Sequence, residues 1–412
     1  MQEVKKTILA TLYAVNPTKG SEDGMGWNFV LQVARNNNIL AITRENNRGA
    51  IEKYQNENPS PLYDSITFIY YDLPYWMRFW KKGNRGALLY YWMWQRGVPA
   101  FVKKQNLNFD IVHNLNFHND WTPSYLWKLG KPFVWGPIGH HPSIPRQYLK
   151  PYGTKFLIKD KLTALVKNYF WHWSPHLKKT AEKADHIFAM NKSVVEKINQ
   201  SEDKFTIMPS VATQDFGFSE KHDSEKFRII SAGRFVPLKG FDLSIRAFHH
   251  FIKDLDPLLK ETIKLTLVGK GPSESYLKDI IQELGITDNV EIINWVERDK
   301  LMEMMKESSA FLFPSHEGAG MVVAEALSFA MPVICFDNCG PGEFITAECG
   351  ISVPYQSYED TVIALASGIS EIYSNPQKQR EMRISARKRF EGSFDWDRRG
   401  EQLQRVYSRL KG

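Results

Sequence analysis

Short apolar runs alternate with helix-period segments along the chain, break off in a polar stretch from about residue 210 to 226, and then start again. This is the pattern of parallel strands joined by crossover helices, because a parallel sheet has to be covered on both faces. Strands are predicted at 7–13, 39–43, 66–71, 110–113, 132–135, 186–190 and 205–208, and after the break at 227–231, 264–268, 290–293, 310–313, 332–336 and 351–353. The expected fold class is α/β, with two doubly wound parallel-sheet domains facing a cleft. Their expected bounds are 1–212 and 227–392, with a linker at 213–226 and a C-terminal helix at 393–412 packing back across that linker. A chain of 412 residues is long enough for two cores. In such sheets ligands sit beyond the carboxyl ends of strands, so the loops after strands are where chemistry is sought.

A content of 43% hydrophobic and 24% charged residues belongs to a globular protein and excludes a disordered or fibrous one. The apolar run at 8–15 is too short to span a membrane and lacks a small-residue cleavage site, so it reads as a first buried strand. No longer run of spanning length follows, and a cytoplasmic location, with peripheral contact at the inner membrane face, is the expectation. Cys335, Cys339 and Cys349 form neither a closed disulfide set nor a zinc pattern and read as buried thiols.

The net charge of +7 is unevenly spread: residues 66–180 hold 17 Lys and Arg against 4 Asp and Glu, together with 9 of the 12 tryptophans, Trp76, Trp80, Trp92 and Trp94 among them. One reading is an electropositive aromatic surface for an anionic membrane or an anionic acceptor; the other is core aromatics beneath solvated lysines. Nucleic acid is not an expected partner, since no recognised nucleic-acid module accompanies the charge.

The most informative segment is 311–327, Phe-Leu-Phe-Pro-Ser-His-Glu-Gly-Ala-Gly-Met-Val-Val-Ala-Glu-Ala-Leu: a buried strand, a loop of small residues and a helix start. Amides of Gly318, Ala319, Gly320, Met321 and Val322 can approach an anionic ligand there, helped by the positive end of the helix. If Glu317 and Glu325 shared one regular helix they would lie roughly 12 Å apart. That exceeds the ~5–9.5 Å of paired glycosidase carboxylates, so gripping two ends of a long ligand suits them better. The loop Ser231-Ala-Gly233-Arg234-Phe-Val-Pro-Leu-Lys239-Gly240 offers a guanidinium fork and a mobile ammonium, both able to reach a diphosphate. Alone it would read as a solvated basic turn. Two further glycine loops, with Gly269 and Gly271 after the 264–268 strand and Gly24 and Gly26 after the first strand, are weak signals individually.

Together these segments resemble family 4 glycosyltransferases, known as glycosyl transferases group 1, of the GT-B fold with two Rossmann-like domains. The family's Glu-x7-Glu signature matches Glu317 and Glu325, and its Gly-Arg-x4-Lys-Gly pattern matches Gly233, Arg234, Lys239 and Gly240. In the first half, residues 20–27 and 132–139 are similar to a subgroup of the family. The resemblance implies a retaining transferase that needs no metal or other cofactor and takes its sugar from a nucleotide-diphosphate donor, a UDP- or GDP-sugar, bound mainly by the second domain. It implies that Arg234 and Lys239 bind the diphosphate, Glu325 the ribose, and Glu317 with the amides of residues 318–321 the transferred sugar. The acceptor would be a glycan or a lipid-linked glycan, in polysaccharide or surface-glycan assembly. Many members carry a histidine just after the strand that is here 132–135. His140 and His141 follow it, and Asn116, His118 and Asp120 in the preceding loop compete for the role. The Asp-x-Asp pairs at 254–256 and 395–397 fall where helix ends are expected, away from a metal site. A sugar-nucleotide epimerase or a phosphorylase of the same fold, or a degenerate scaffold subunit, are the rival readings.

Overall fold

The computed structural model describes residues 5–83, 85–115, 119–218 and 226–411. Contacts divide it into two compact units. The first holds residues up to 140, 165–212 and 396 onward; the second holds 141–164 and 213–395. Each is a parallel sheet with helices on both faces, the Rossmann-like architecture of the GT-B fold.

In the first unit seven strands lie in the order β3-β2-β1-β4-β5-β6-β7. They are β1 (Thr7–Thr11), β2 (Asn38–Thr43), β3 (Ile66–Tyr70), β4 (Ile111–Asn114), β5 (Phe133–Ile138), β6 (His186–Ala189) and β7 (Phe205–Ile207). β1 is central, with Leu9 opposite Leu40 on one side and Val112 on the other. Ile8, Leu9 and Ala10 are all buried, as a strand covered on both faces requires.

The second unit has six strands, in the order β10-β9-β8-β11-β12-β13. These are β8 (Phe227–Ala232), β9 (Ile263–Val268), β10 (Val290–Ile293), β11 (Ala310–Phe313), β12 (Val333–Phe336) and β13 (Gly350–Val353). Each coincides, within a few residues, with a run read from the sequence. The order turns outward in both directions from β8 and β11, so the loops after those two strands meet at the switch point where such sheets bind ligands.

The unit boundaries differ from the sequence expectation at residues 141–164. Residues 141–164 cluster with the second unit, where the Tyr148 hydroxyl bonds Thr361 Oγ1 at 2.8 Å and the Tyr152 hydroxyl donates to the buried carboxylate of Asp242 at 2.6 Å. The C-terminal helix Trp396–Arg409 belongs to the first unit. There Trp396 meets Phe29 edge to face at 5.2 Å, and a Cβ at Gly400 would stand 2.4 Å from Gln32 Oε1. Lys6 Nζ donates to the carbonyl oxygens of Tyr407 and Leu410, a cation at the negative end of that helix. The linker expected at 213–226 lies partly outside the described residues; Thr213 bridges to Asp395 and Asp215 pairs with Arg387. Cys335 and Cys349 are buried and Cys339 partly so, and none of the three is in a disulfide. Among the described residues no helix is long and apolar enough to cross a membrane.

Candidate functional site

In the second unit β8 ends at Ala232, and the chain passes through a single 3₁₀ turn, Pro237–Lys239, to Gly240 before the helix Phe241–Ile252. Gly240 has φ +64°, and a Cβ there would stand 2.1 Å from the carbonyl oxygen of Pro314 in the loop after β11. The two loops therefore touch backbone to backbone, and the His316 amide donates to the Leu238 carbonyl at 2.8 Å. That contact brings the Lys239 ammonium onto Glu317, Nζ to Oε1 2.7 Å, with the side chains 14% and 15% exposed. The ammonium also lies 4.9 Å from the Phe313 ring centroid. Arg234, in the same loop, is exposed and makes no ion pair among the described residues.

The loop after β11 is held from beneath. Asn338 donates from Nδ2 to the Ser315 carbonyl at 2.8 Å, and Gly340 approaches so closely that a Cβ would lie 2.1 Å from the Glu317 carbonyl. The Gly318 amide donates to His141 Nδ1 at 3.1 Å. The helix Met321–Ser328 then begins at Gly320, and the amides of Met321 and Val322 in its first turn have no acceptor within the helix. Glu317 thus lies in the loop and Glu325 on the helix, and the 12 Å expected for one continuous helix does not apply.

Glu325 is 2% exposed and pairs with Arg298 through a 2.6 Å contact. Burial pushes its carboxyl above the usual range, with the Arg298 charge pulling the other way. Arg298 opens the helix Arg298–Lys306 beyond β10. Sequence reasoning missed it, and the only signal was a basic residue at a helix start after a strand. His316, beside Glu317, is buried, stacks on Tyr355 at 5.5 Å and on Phe336 at 4.8 Å, and has its imidazole depressed to about 3 by burial. It is a neutral packing residue near pH 7.

Gly269 and Gly271 turn toward the 233–235 loop. A Cβ on Gly269 would lie 1.8 Å from the Gly233 carbonyl oxygen and one on Gly271 2.4 Å from that of Phe235, so their small size lets two loops pack. Gly24 and Gly26, expected in a loop, lie in the first turns of the helix Ser21–Ala34; at Gly24 the missing Cβ makes room for the Lys19 carbonyl. These two glycines belong to the first unit.

His140 is also in the first unit, 7% exposed, with Nδ1 2.8 Å from Asp120 Oδ2 and its ring 5.1 Å from that of Trp171. Two of the competing candidates are therefore one pair. His118 and Asn116 lie outside the described residues. Of the Asp-x-Asp residues, Asp256 caps a helix through the Leu258 amide and Asp397 pairs with Arg35. Among the described residues no three His, Cys, Asp or Glu side chains gather as a metal site would require. A surface cavity of about 870 Å³ in the second unit is lined by Lys150, Arg246, His249, His250, Tyr276 and Tyr358 with their neighbours, and by none of the signature side chains. Cavity size therefore does not mark the signature loops.

The loops that carry Arg234, Lys239 and Glu317, and the helix that carries Glu325, fall within residues 213–389. That stretch matches the family model described as glycosyl transferases group 1. An uncharacterized glycosyltransferase of Haemophilus influenzae is 28% identical over 165 residues, 40% of this chain and 44% of that protein. The lipopolysaccharide core biosynthesis glycosyltransferase of Rhizobium meliloti is 31% identical over 141 residues, 34% of this chain and 37% of that protein. The chain thus spans less than half the length of these curated relatives. Among solved structures, Anabaena HepE in complex with UDP superimposes with a TM-score of 0.64 at 14% identity, covering 98% of this chain and 100% of that one.

Proposed function

We propose that the chain is a retaining glycosyltransferase that moves a sugar from a UDP- or GDP-sugar to a glycan or lipid-linked acceptor in surface-glycan assembly, without a metal ion. The observation that carries this reading is the Lys239–Glu317 contact beside the unpaired Arg234, in loops that meet at the switch point of the sheet. An ammonium has three N–H groups; with one on Glu317, two are left for phosphate oxygens, and the Arg234 fork supplies a second cation. Two fixed positive charges offset the charge that builds on a departing nucleoside diphosphate, the task a divalent cation performs elsewhere. Glu317 then accepts from a hydroxyl of the transferred sugar, and Glu325 from the ribose. In front-face substitution the bond from the anomeric carbon to the diphosphate oxygen breaks as the bond to the acceptor oxygen forms on the same face. The leaving phosphate oxygen takes the acceptor proton, so no protein base is needed. His140, oriented by Asp120, is the proposed catalytic histidine. The names of the relatives, among them a lipopolysaccharide core enzyme, support the acceptor class.

The test is a thermal-shift and transfer assay over UDP-, GDP-, ADP- and TDP-sugars with and without EDTA, followed by NMR of the product's anomeric proton. Saturating donor at one hundred times its dissociation constant adds about 2.7 kcal/mol of stability. An inverted anomer, or activity abolished by EDTA, would overturn the mechanism. Donor binding with no transfer to any glycan or lipid acceptor would point to a scaffold subunit.

A further inference from the structure

The first unit carries an apolar groove of about 460 Å³, within the range of ligand pockets. Its walls are Leu88, Leu89 and Trp92 from the helix Ala87–Lys104, and Val166, Tyr169 and Phe170 from the helix Thr154–Trp173; Trp121 and His176 close it. No carboxylate lines it. Leu88, Leu89, Val166 and Tyr169 are each about half exposed, and Trp173, on the same helix as Tyr169, is 76% exposed. Apolar side chains of this size left in water in one place mark an interaction site.

One end of the groove is cationic. The Arg96 guanidinium lies 5.8 Å from the ring of Trp92, Lys179 Nζ is 4.8 Å and Lys128 Nζ 5.4 Å from the ring of Trp127, and Lys128 is also 5.2 Å from Tyr125, whose ring is 5.4 Å from His176. His176 senses all three: partial burial first, and then the charges of Lys128, Arg96 and Lys179, depress its imidazole. An apolar channel ending in three cations complements a molecule with a hydrocarbon chain and an anionic head.

We infer that this face docks on an anionic phospholipid bilayer, with one acyl chain in the groove between Leu89 and Tyr169 and the lipid phosphate against Arg96, Lys128 and Lys179. The purpose of such docking, delivery of a lipid-linked acceptor, rests on the function proposed above, but the physical association does not. The groove residues are distinct from the signature loops, so the two can be tested separately.

Full-length protein is sedimented with vesicles of phosphatidylcholine alone and of phosphatidylcholine with phosphatidylglycerol, at low and high salt. Association with the anionic vesicles, weakened by salt, is expected. The double variants Leu89→Asp/Tyr169→Asp and Lys128→Glu/Lys179→Glu each lower it by at least about tenfold. The four side chains are exposed or half exposed, so unchanged melting temperatures of the variants are expected and are measured alongside. Equal association with both vesicle types, no association at low salt, or variants that associate like the wild type would overturn the inference. The donor thermal shift is read on the same samples: its loss with vesicle binding intact refutes the transferase reading and leaves the docking surface standing, and the reverse result does the opposite.

Discussion

The ammonium of Lys239 and the carboxylate of Glu317 sit 2.7 Å apart, each with about one-seventh of its side chain exposed, although 78 residues of chain separate them. Neither loop alone explains the pair. It exists because Gly240 lets the loop after β8 lie against Pro314 in the loop after β11.

Replacing Glu317 by Ala is expected to lower turnover by ~10²–10³, the usual effect of removing one preorganised polar group, with a smaller change in donor affinity. Steady-state kinetics on the donor identified by thermal shift would check this. A variant with unchanged kcat would place the transferred sugar elsewhere.

Glu325 and Arg298 predict a pH-dependent difference in stability. Burial holds the folded-state carboxyl above its ordinary 4.5, so the folded state binds the proton more tightly than the unfolded chain does. Its ionisation therefore weakens the fold as pH rises from the unfolded pKa toward the folded one, after which the loss is constant. Arg298→Ala removes the counter-charge and raises the folded pKa further. Melting temperatures of wild type and variant should be close near pH 4 and diverge toward pH 7, and donor binding at neutral pH should weaken.

His316 titrates in the other direction. With its folded value near 3 and the unfolded value at 6.5, protonation favours the unfolded chain, and stability is lost as pH falls through that interval at up to about 1.4 kcal/mol per pH unit. His316→Phe keeps the stacking on Phe336 and Tyr355 and removes a ring nitrogen, Nε2, that is buried without a hydrogen bond. Its acid-side slope in denaturant titrations should be shallower by one proton, with stability at pH 7 within about 1 kcal/mol of wild type. An unchanged slope would show that His316 is charged in the fold.

Gly240→Ala should be among the most damaging single changes. The added methyl carbon meets a carbonyl oxygen at a backbone conformation that L-residues disfavour. A loss of about 1–3 kcal/mol in chemical denaturation is expected, together with weakened donor binding as Lys239 and Glu317 separate. Gly153→Ala, also at positive φ but with open space around it, separates conformational strain from the clash: it should cost less and leave the donor shift intact.

Asp120 is expected to act through His140. Accepting from Nδ1–H, it sets the tautomer and orientation of the ring. Asp120→Asn should lower kcat with little change in donor KM. His140→Ala should lose at least as much turnover and show no further response to the Asn change, which a double-mutant cycle would detect.

Local chemistry determined most of the fold and part of the site. Apolar runs of strand length between helix-period segments suit a parallel sheet buried on both faces, so strands from Thr7–Thr11 to Gly350–Val353 are legible in the sequence alone. As candidates, Arg234, Lys239 and Glu317 stood out because they lie in loops that follow strands, and Glu325 because it completes the Glu-x7-Glu spacing from within the next helix.

Long-range contact decided the rest. Nothing local in Arg298 announces a partner 27 residues on in the buried Glu325, and nothing in residues 141–164 shows that they pack with the second unit through Tyr148 and Tyr152. The glycines after β1 read as a loop until the helix Ser21–Ala34 is seen to begin among them. Periodicity reports which face of an element is apolar, whereas the partner of a buried charge, or the unit to which a segment belongs, depends on which surfaces meet when the chain closes on itself. That information is held by pairs of residues far apart in sequence, and only the tertiary structure brings them together.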